Sequence, residues 1–117
     1  MIMERGIITI SENGAVTMPI APVWMTQQEM SDAFNVFGCD IRRGNRAIYK
    51  NMELLESDTM RDVKLDNMTS YDVYSLEMVI AVAFKLQTKE CMVFIRSSGF
   101  VRRTKIVVIG HIRGNGG

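Results

Sequence analysis

The chain has 117 residues, 47% of them hydrophobic and 23% charged, which supplies one modest core and excludes disordered and collagen-like classes. The formal charge of +1 hides an asymmetry: five basic and no acidic residues follow Glu90, against nine basic and thirteen acidic up to that point. Cys39 and Cys91 form no CxxC pair, so neither a zinc site nor a disulfide scaffold is expected. The start MIMERGII has no cationic segment leading into a long apolar run, and the apolar stretch Met78 to Phe84 is too short to span a bilayer, so a cytoplasmic protein is expected.

In chain order, residues 7 to 20 (IITISENGAVTMPI) give two β-rich runs around Asn13-Gly14, a pair suited to the positive φ angles of a tight hairpin turn. Pro19 and Pro22 then turn the chain. Thr26-Gln27-Gln28-Glu29 reads as a capping box, with Met25 and Met30 at staple positions, and predicts a short helix over 27–34 that Asn35 can end. A second helix is expected from about Cys39 to about Asn51, with Ile41 and Ile48 inward and the cations outward; Gly44 is its weak point, costing roughly 1 kcal/mol relative to alanine.

The stretch 51–60 is acidic and turn-rich, and residues 62–74 read as a second hairpin with a polar tip at 66–70. Ser75 caps what reads as one long core helix, LEMVIAVAFKLQTKECMVFIR, ending near Arg96. The segment 97–117 is a basic, glycine-ended tail in which KIVVIG is a candidate edge strand. The expected architecture is α+β: an N-terminal β-hairpin, a winged helix-turn-helix and a long buried C-terminal helix, with residues 1–96 as the domain.

Two helices joined by a short turn suggest a DNA-binding motif in which the second helix enters the major groove. Arg42 and Arg46 are four residues apart and therefore share a face, with Lys50 one turn further and Arg43 alongside. Arginine can bond bidentately to a guanine edge, and either cation can neutralise phosphate. The candidate DNA-binding residues are Arg42, Arg43, Arg46 and Lys50 on the second helix, Gln27 and Gln28 near the DNA backbone, and Lys64 on the wing. Double-stranded DNA is the expected partner and a homodimer the expected state, since one short module spans few base pairs. An alternative is a protein-interaction module that uses the helix-turn-helix as a scaffold and meets an acidic partner. Trp24, Phe34, Phe37, Tyr49, Tyr71, Tyr74 and Phe84 are assigned to the core, and His111 in the tail has no acid partner nearby. With no phosphate loop, metal cluster or nucleophile–base pair, no enzymatic chemistry and no cofactor are expected.

Three blocks, VWMTQQEMSDAF, IRRGNRAIYKNMEL and SYDVYSLEMVIAVAFKLQTKECMVFIR, occur in an order that resembles the RhuM-like virulence-associated proteins of bacteria, with a looser similarity to phage antirepressor modules. The resemblance covers roughly residues 7–96 and implies DNA binding in a mobile-element or phage setting, as a regulator of transcription. It ends near Arg96, where the family has a further apolar-aromatic helix and this chain has FIRSSGFVRRTKIVVIGHIRGNGG.

Overall fold

Thr26 sets the frame of the fold. Its hydroxyl accepts from the Glu29 amide at 3.1 Å while the Glu29 carboxylate accepts from the Thr26 amide at 2.8 Å, closing the capping box that starts α1 (Gln27–Phe34). Asn35 ends α1 with φ 57°, its amide bonded back to Ser31, and the chain re-enters helix as α2 (Gly38–Lys50). Both helices begin and end where capping chemistry places them. The computed structural model describes residues 4–65 and 67–98; the tail strand expected at KIVVIG, and His111, lie outside them.

Among the described residues the fold is α+β, with five helices and two small antiparallel sheets. The first sheet pairs β1 (Thr9–Ile10) with β2 (Val16–Thr17), and Gly14 takes φ 87° in the turn between them. The second has the order β3-β5-β4, from β3 (Trp24–Met25), β4 (Met60–Lys64) and β5 (Ser70–Ser75). Its register places Met25 opposite Tyr74 and Tyr74 opposite Met60, so these three share one face and meet the helices. Gly6 bridges Val23 so closely that a Cβ there would lie 2.3 Å from the Ala21 carbonyl oxygen. A short helix, α3 (Glu56–Thr59), stands where only turns are expected; the Thr59 hydroxyl closes it on the Leu55 carbonyl at 2.7 Å.

The long C-terminal helix is instead two. α4 (Leu76–Leu86) stops at Gln87, which adopts φ 57°, and Thr88 starts α5 (Lys89–Ser98), two residues past the expected end. The Thr88 hydroxyl accepts from the Cys91 amide at 3.2 Å and donates to the Phe34 carbonyl at 3.1 Å, so the cap of α5 is also a tie to the end of α1. Breaking the helix lets α5 fold back and bury Cys91, Phe94 and Ile95 completely, with the Phe34 and Phe94 rings 5.7 Å apart. A straight continuation would have left that apolar face in water, at a cost of roughly 1.5–3 kcal/mol for each large side chain.

The core that results contains Met30, Phe34, Ile41, Ile48, Met78, Val79, Val82 and Phe94, all at or near zero exposure. Ile41 and Ile48 hold α2 against α1 and α4 as the heptad spacing requires. Gly44 is buried on the same side, and a Cβ there would meet Val82 Cγ1 at 4.0 Å, an ordinary contact. No helix among the described residues is long and apolar enough to cross a membrane.

Candidate nucleic-acid interface

The position of α2 follows from its ends. Asn35 and Val36 both return their amides to the Ser31 carbonyl, which makes the turn out of α1 tight. The Phe37 amide donates to the Asp40 carboxylate at 3.1 Å, satisfying one otherwise orphaned group at the start of α2. Ile41, Gly44, Asn45 and Ile48 then face the core, and geometry alone turns Cys39, Arg42, Arg43, Arg46 and Lys50 outward, all exposed. Four cations therefore form one stripe along the solvent side of a single helix.

Few neighbouring acids neutralise that stripe. Arg43 reaches Asp40 at 3.3 Å but remains 72% exposed, the kind of surface pair worth at most about 1 kcal/mol. Arg42, Arg46 and Lys50 make no ion pair among the described residues. The acid next along the chain, Glu53, is engaged by Lys85 of α4 at 3.4 Å, and Glu56 and Asp58 on α3 form no pair with the stripe.

Among the described residues, cations elsewhere are largely spent. The Arg5 guanidinium forks onto both Glu29 carboxylate oxygens at 2.7 and 3.0 Å, donates to the Trp24 carbonyl at 2.9 Å and lies 5.6 Å from the Tyr71 ring centre. Burial alone would push the Glu29 carboxyl up, but the bonds from Arg5 and from the Thr26 amide outweigh it and hold the group below its usual range. Arg61 stacks over Trp24 with 4.4 Å to the ring centre. On α5, Lys89 and Arg96 are exposed and unpaired among the described residues, but they stand singly, seven positions apart.

The other sequence-derived candidates are not gathered to the stripe. Gln27 is half-buried, and its Nε2 donates to the Tyr74 hydroxyl at 3.2 Å, bracing α1 to β5. Gln28 is exposed, with Nε2 bonded to Asp32 at 3.0 Å. Lys64 ends β4, 82% exposed, with Asp62 at 3.5 Å. The Tyr49 hydroxyl of α2 meets that of Thr59, immediately before β4, at 2.8 Å, so the strand pair is tied to α2 at its base. Burial raises the pKa of both Tyr49 and Tyr74, keeping these hydroxyls protonated and able to donate.

Beside Tyr74 the buried Asn45 amide lies close enough to favour the phenolate, yet no group among the described residues gives it a well-formed hydrogen bond.

Phe37 corrects an expectation. Placed in the core by its aromatic character, it is 78% exposed, standing at the N-cap of α2 in the inter-helix turn. The signal was Asp40, three positions on, where an acid accepts from the cap amide. Phe34 and Tyr74 are core as expected, and Trp24, Tyr49, Tyr71 and Phe84 are half-buried at its margin. Two further residues gain definition from the structure: Cys39 is exposed at the start of the stripe, and Met68, within the tip expected at 66–70, is 93% exposed between β4 and β5.

No family model matches the chain, and neither the curated proteins nor the solved structures contain a significant match to it.

Proposed function

We propose that the chain binds double-stranded DNA as a winged helix-turn-helix protein, with α2 as the recognition helix. The observation that carries this reading is the stripe itself: Arg42, Arg43, Arg46 and Lys50 exposed along one helix, three of them without a counter-ion among the described residues. A structural role would give these charges partners, as Arg5 has; leaving them bare suits a polyanion that supplies the negative charge on binding.

The topology supports the same reading. A strand, two helices joined by a three-residue turn, and then a strand pair in the order β3-β5-β4 present a helix and a neighbouring wing together. A major groove about 12 Å wide admits α2, with Arg42 and Arg46 reaching base edges or phosphates. In this reading Gln28 on α1 and Lys64 on the wing make backbone contacts outside the stripe, and the β1–β2 pair, packed on α1 and α5, is the N-terminal hairpin. Two copies on symmetric half-sites give the contact area one module lacks. The RhuM-like resemblance adds the expectation of a regulator linked to a mobile element or phage.

Fluorescence anisotropy with a mixed-sequence duplex tests this. Each neutralised phosphate contributes about −0.9 to the slope of log K against log salt, so three or four contacts give a slope of about −3. Absence of binding even at low salt contradicts the proposal. Equal affinity for an acidic polypeptide such as polyglutamate transfers the stripe to the protein-interaction alternative.

A further inference from the structure

The three-stranded sheet ends differently on its two sides. At β3 the N-terminal segment closes the edge: the Gly6 amide donates to the Pro22 carbonyl at 2.8 Å, and the Gly6 carbonyl accepts from the Trp24 amide at 3.2 Å. At β4 no described residue pairs with the outer side, since the strand order is β3-β5-β4. The strand carries no proline, and Arg61, Asp62 and Lys64 are all exposed along it. Proteins usually cover or blunt such an edge, because its free amides and carbonyls recruit another strand.

Hydrogen-bond alternation fixes which groups are on offer. The Leu65 amide donates to the Thr69 carbonyl at 2.8 Å, so Leu65, Val63 and Arg61 turn their backbone groups toward β5. Met60, Asp62 and Lys64 turn theirs outward, and the Met60 amide is already bonded to the Glu56 carbonyl. Asp62 and Lys64 therefore supply the donors and acceptors of the free edge. β5 does not complement their side chains either. Asp62 stands directly opposite Asp72, a like-charge pair that disfavours the ladder, and its cation among the described residues is its own neighbour Lys64 at 3.5 Å.

We infer that the β4 edge joins a second copy of the chain, antiparallel about a two-fold axis, so that the sheet continues through the partner's β4. Symmetry and charge together select one register. Backbone bonding requires an outward residue to face an outward residue. Setting Asp62 against the partner's Asp62, or Lys64 against the partner's Lys64, brings like charges together, and setting Met60 against the partner's Asp62 does the same to Arg61. A register centred on Met60 runs out of strand into α3. Setting Asp62 against the partner's Lys64 pairs opposite charges on both sides of the axis, with Val63 facing the partner's Val63 and Arg61 beside the partner's Leu65. Lys64 thus exchanges one aspartate for another, and its ammonium, a triple donor, keeps its reach toward phosphate. The inference gives the expected homodimer a surface; it rests on that expectation and not on what α2 binds.

The test is a pair of charge reversals followed by sedimentation equilibrium without DNA. Wild type is expected to dimerise weakly and reversibly, as suits a contact one strand wide. Asp62→Lys and Lys64→Asp, both at exposed positions, each set like charges across the axis. Each is expected to raise the dimer Kd at least about tenfold, with circular dichroism unchanged. Mixed in equal amounts the two variants become complementary and the wild-type affinity returns, a recovery that loss of the contact within one strand cannot produce. Wild type monomeric at the highest soluble concentration, variants that associate like wild type, or a mixture that stays monomeric each overturn the proposal. A monomer whose Asp62 and Lys64 amides are protected from hydrogen exchange overturns it too, by placing another segment of the chain on the edge. With no duplex present, these failures leave the reading of α2 to its own test.

Discussion

Arg5 and Arg46 put the same side chain to opposite uses. Arg5 is 17% exposed, forked onto Glu29 and bonded to Trp24, so its charge is consumed in joining the N-terminal segment to β3 and α1. Arg46 stands exposed on α2, with Arg42 and Lys50 one turn to either side and no counter-ion among the described residues. The N-terminal cluster is a finished interaction, and the α2 face is half of one. Counting basic residues does not separate the two; knowing which acids are already engaged does.

The contrast predicts that mutation of the two regions will affect different observables. Arg42→Ala with Arg46→Ala should weaken duplex binding at least about 30-fold and flatten the salt slope by about 2, while the unfolding free energy shifts by no more than about 0.5 kcal/mol. Anisotropy and denaturant titration on the same protein check both halves, and a stability loss with unchanged affinity would reverse the assignment.

Glu29→Gln should do the opposite. Glutamine can keep the capping geometry, but the charge-assisted bonds to Arg5 are lost, so stability falls by about 1–2 kcal/mol with affinity unchanged. The pH dependence has a definite sign. The Glu29 pKa is lowered on folding from its ordinary value of 4.5, so its contribution is complete above that value and is lost as pH falls through the folded one. An acid titration of stability should show this decline in wild type and a smaller one in the glutamine variant.

Smaller effects sharpen the picture. Lys64→Ala removes one phosphate contact and should reduce the salt slope by about 0.9 with a few-fold loss of affinity. Gly44→Ala adds a methyl where Val82 leaves ordinary contact distance, so α2 should gain up to about 1 kcal/mol, visible as a raised denaturation midpoint.

Much of the fold was legible because it is written in local chemistry. The Thr26 and Glu29 pair, Asn35 and the Ile41–Ile48 spacing place α1, the turn and α2 without reference to the rest of the chain. The break at Gln87 was not legible in the same way. Apolar residues resume in helical phase beyond the polar stretch Gln87-Thr88-Lys89-Glu90, so the pattern reads as one helix, and the burial that α5 gains by folding back on Phe34 is a tertiary effect. Phe37 was misplaced for a related reason: hydrophobicity was weighed ahead of its position in the turn. Of the candidate site, the stripe on α2 was readable from spacing, whereas the engagement of Gln27 by Tyr74 depends on a strand forty-seven residues away.

Cys39 offers the most direct test of the claim that the outward face of α2 meets DNA. It is exposed on the same stripe, while Cys91 is fully buried with its thiol pKa pushed up by that burial. A thiol reagent should therefore modify the folded chain at Cys39 alone. Saturating duplex is predicted to slow that modification sharply, and to do so less as salt rises; a Cys39 that reacts at the same rate with duplex bound would place the interface on another face and contradict the account.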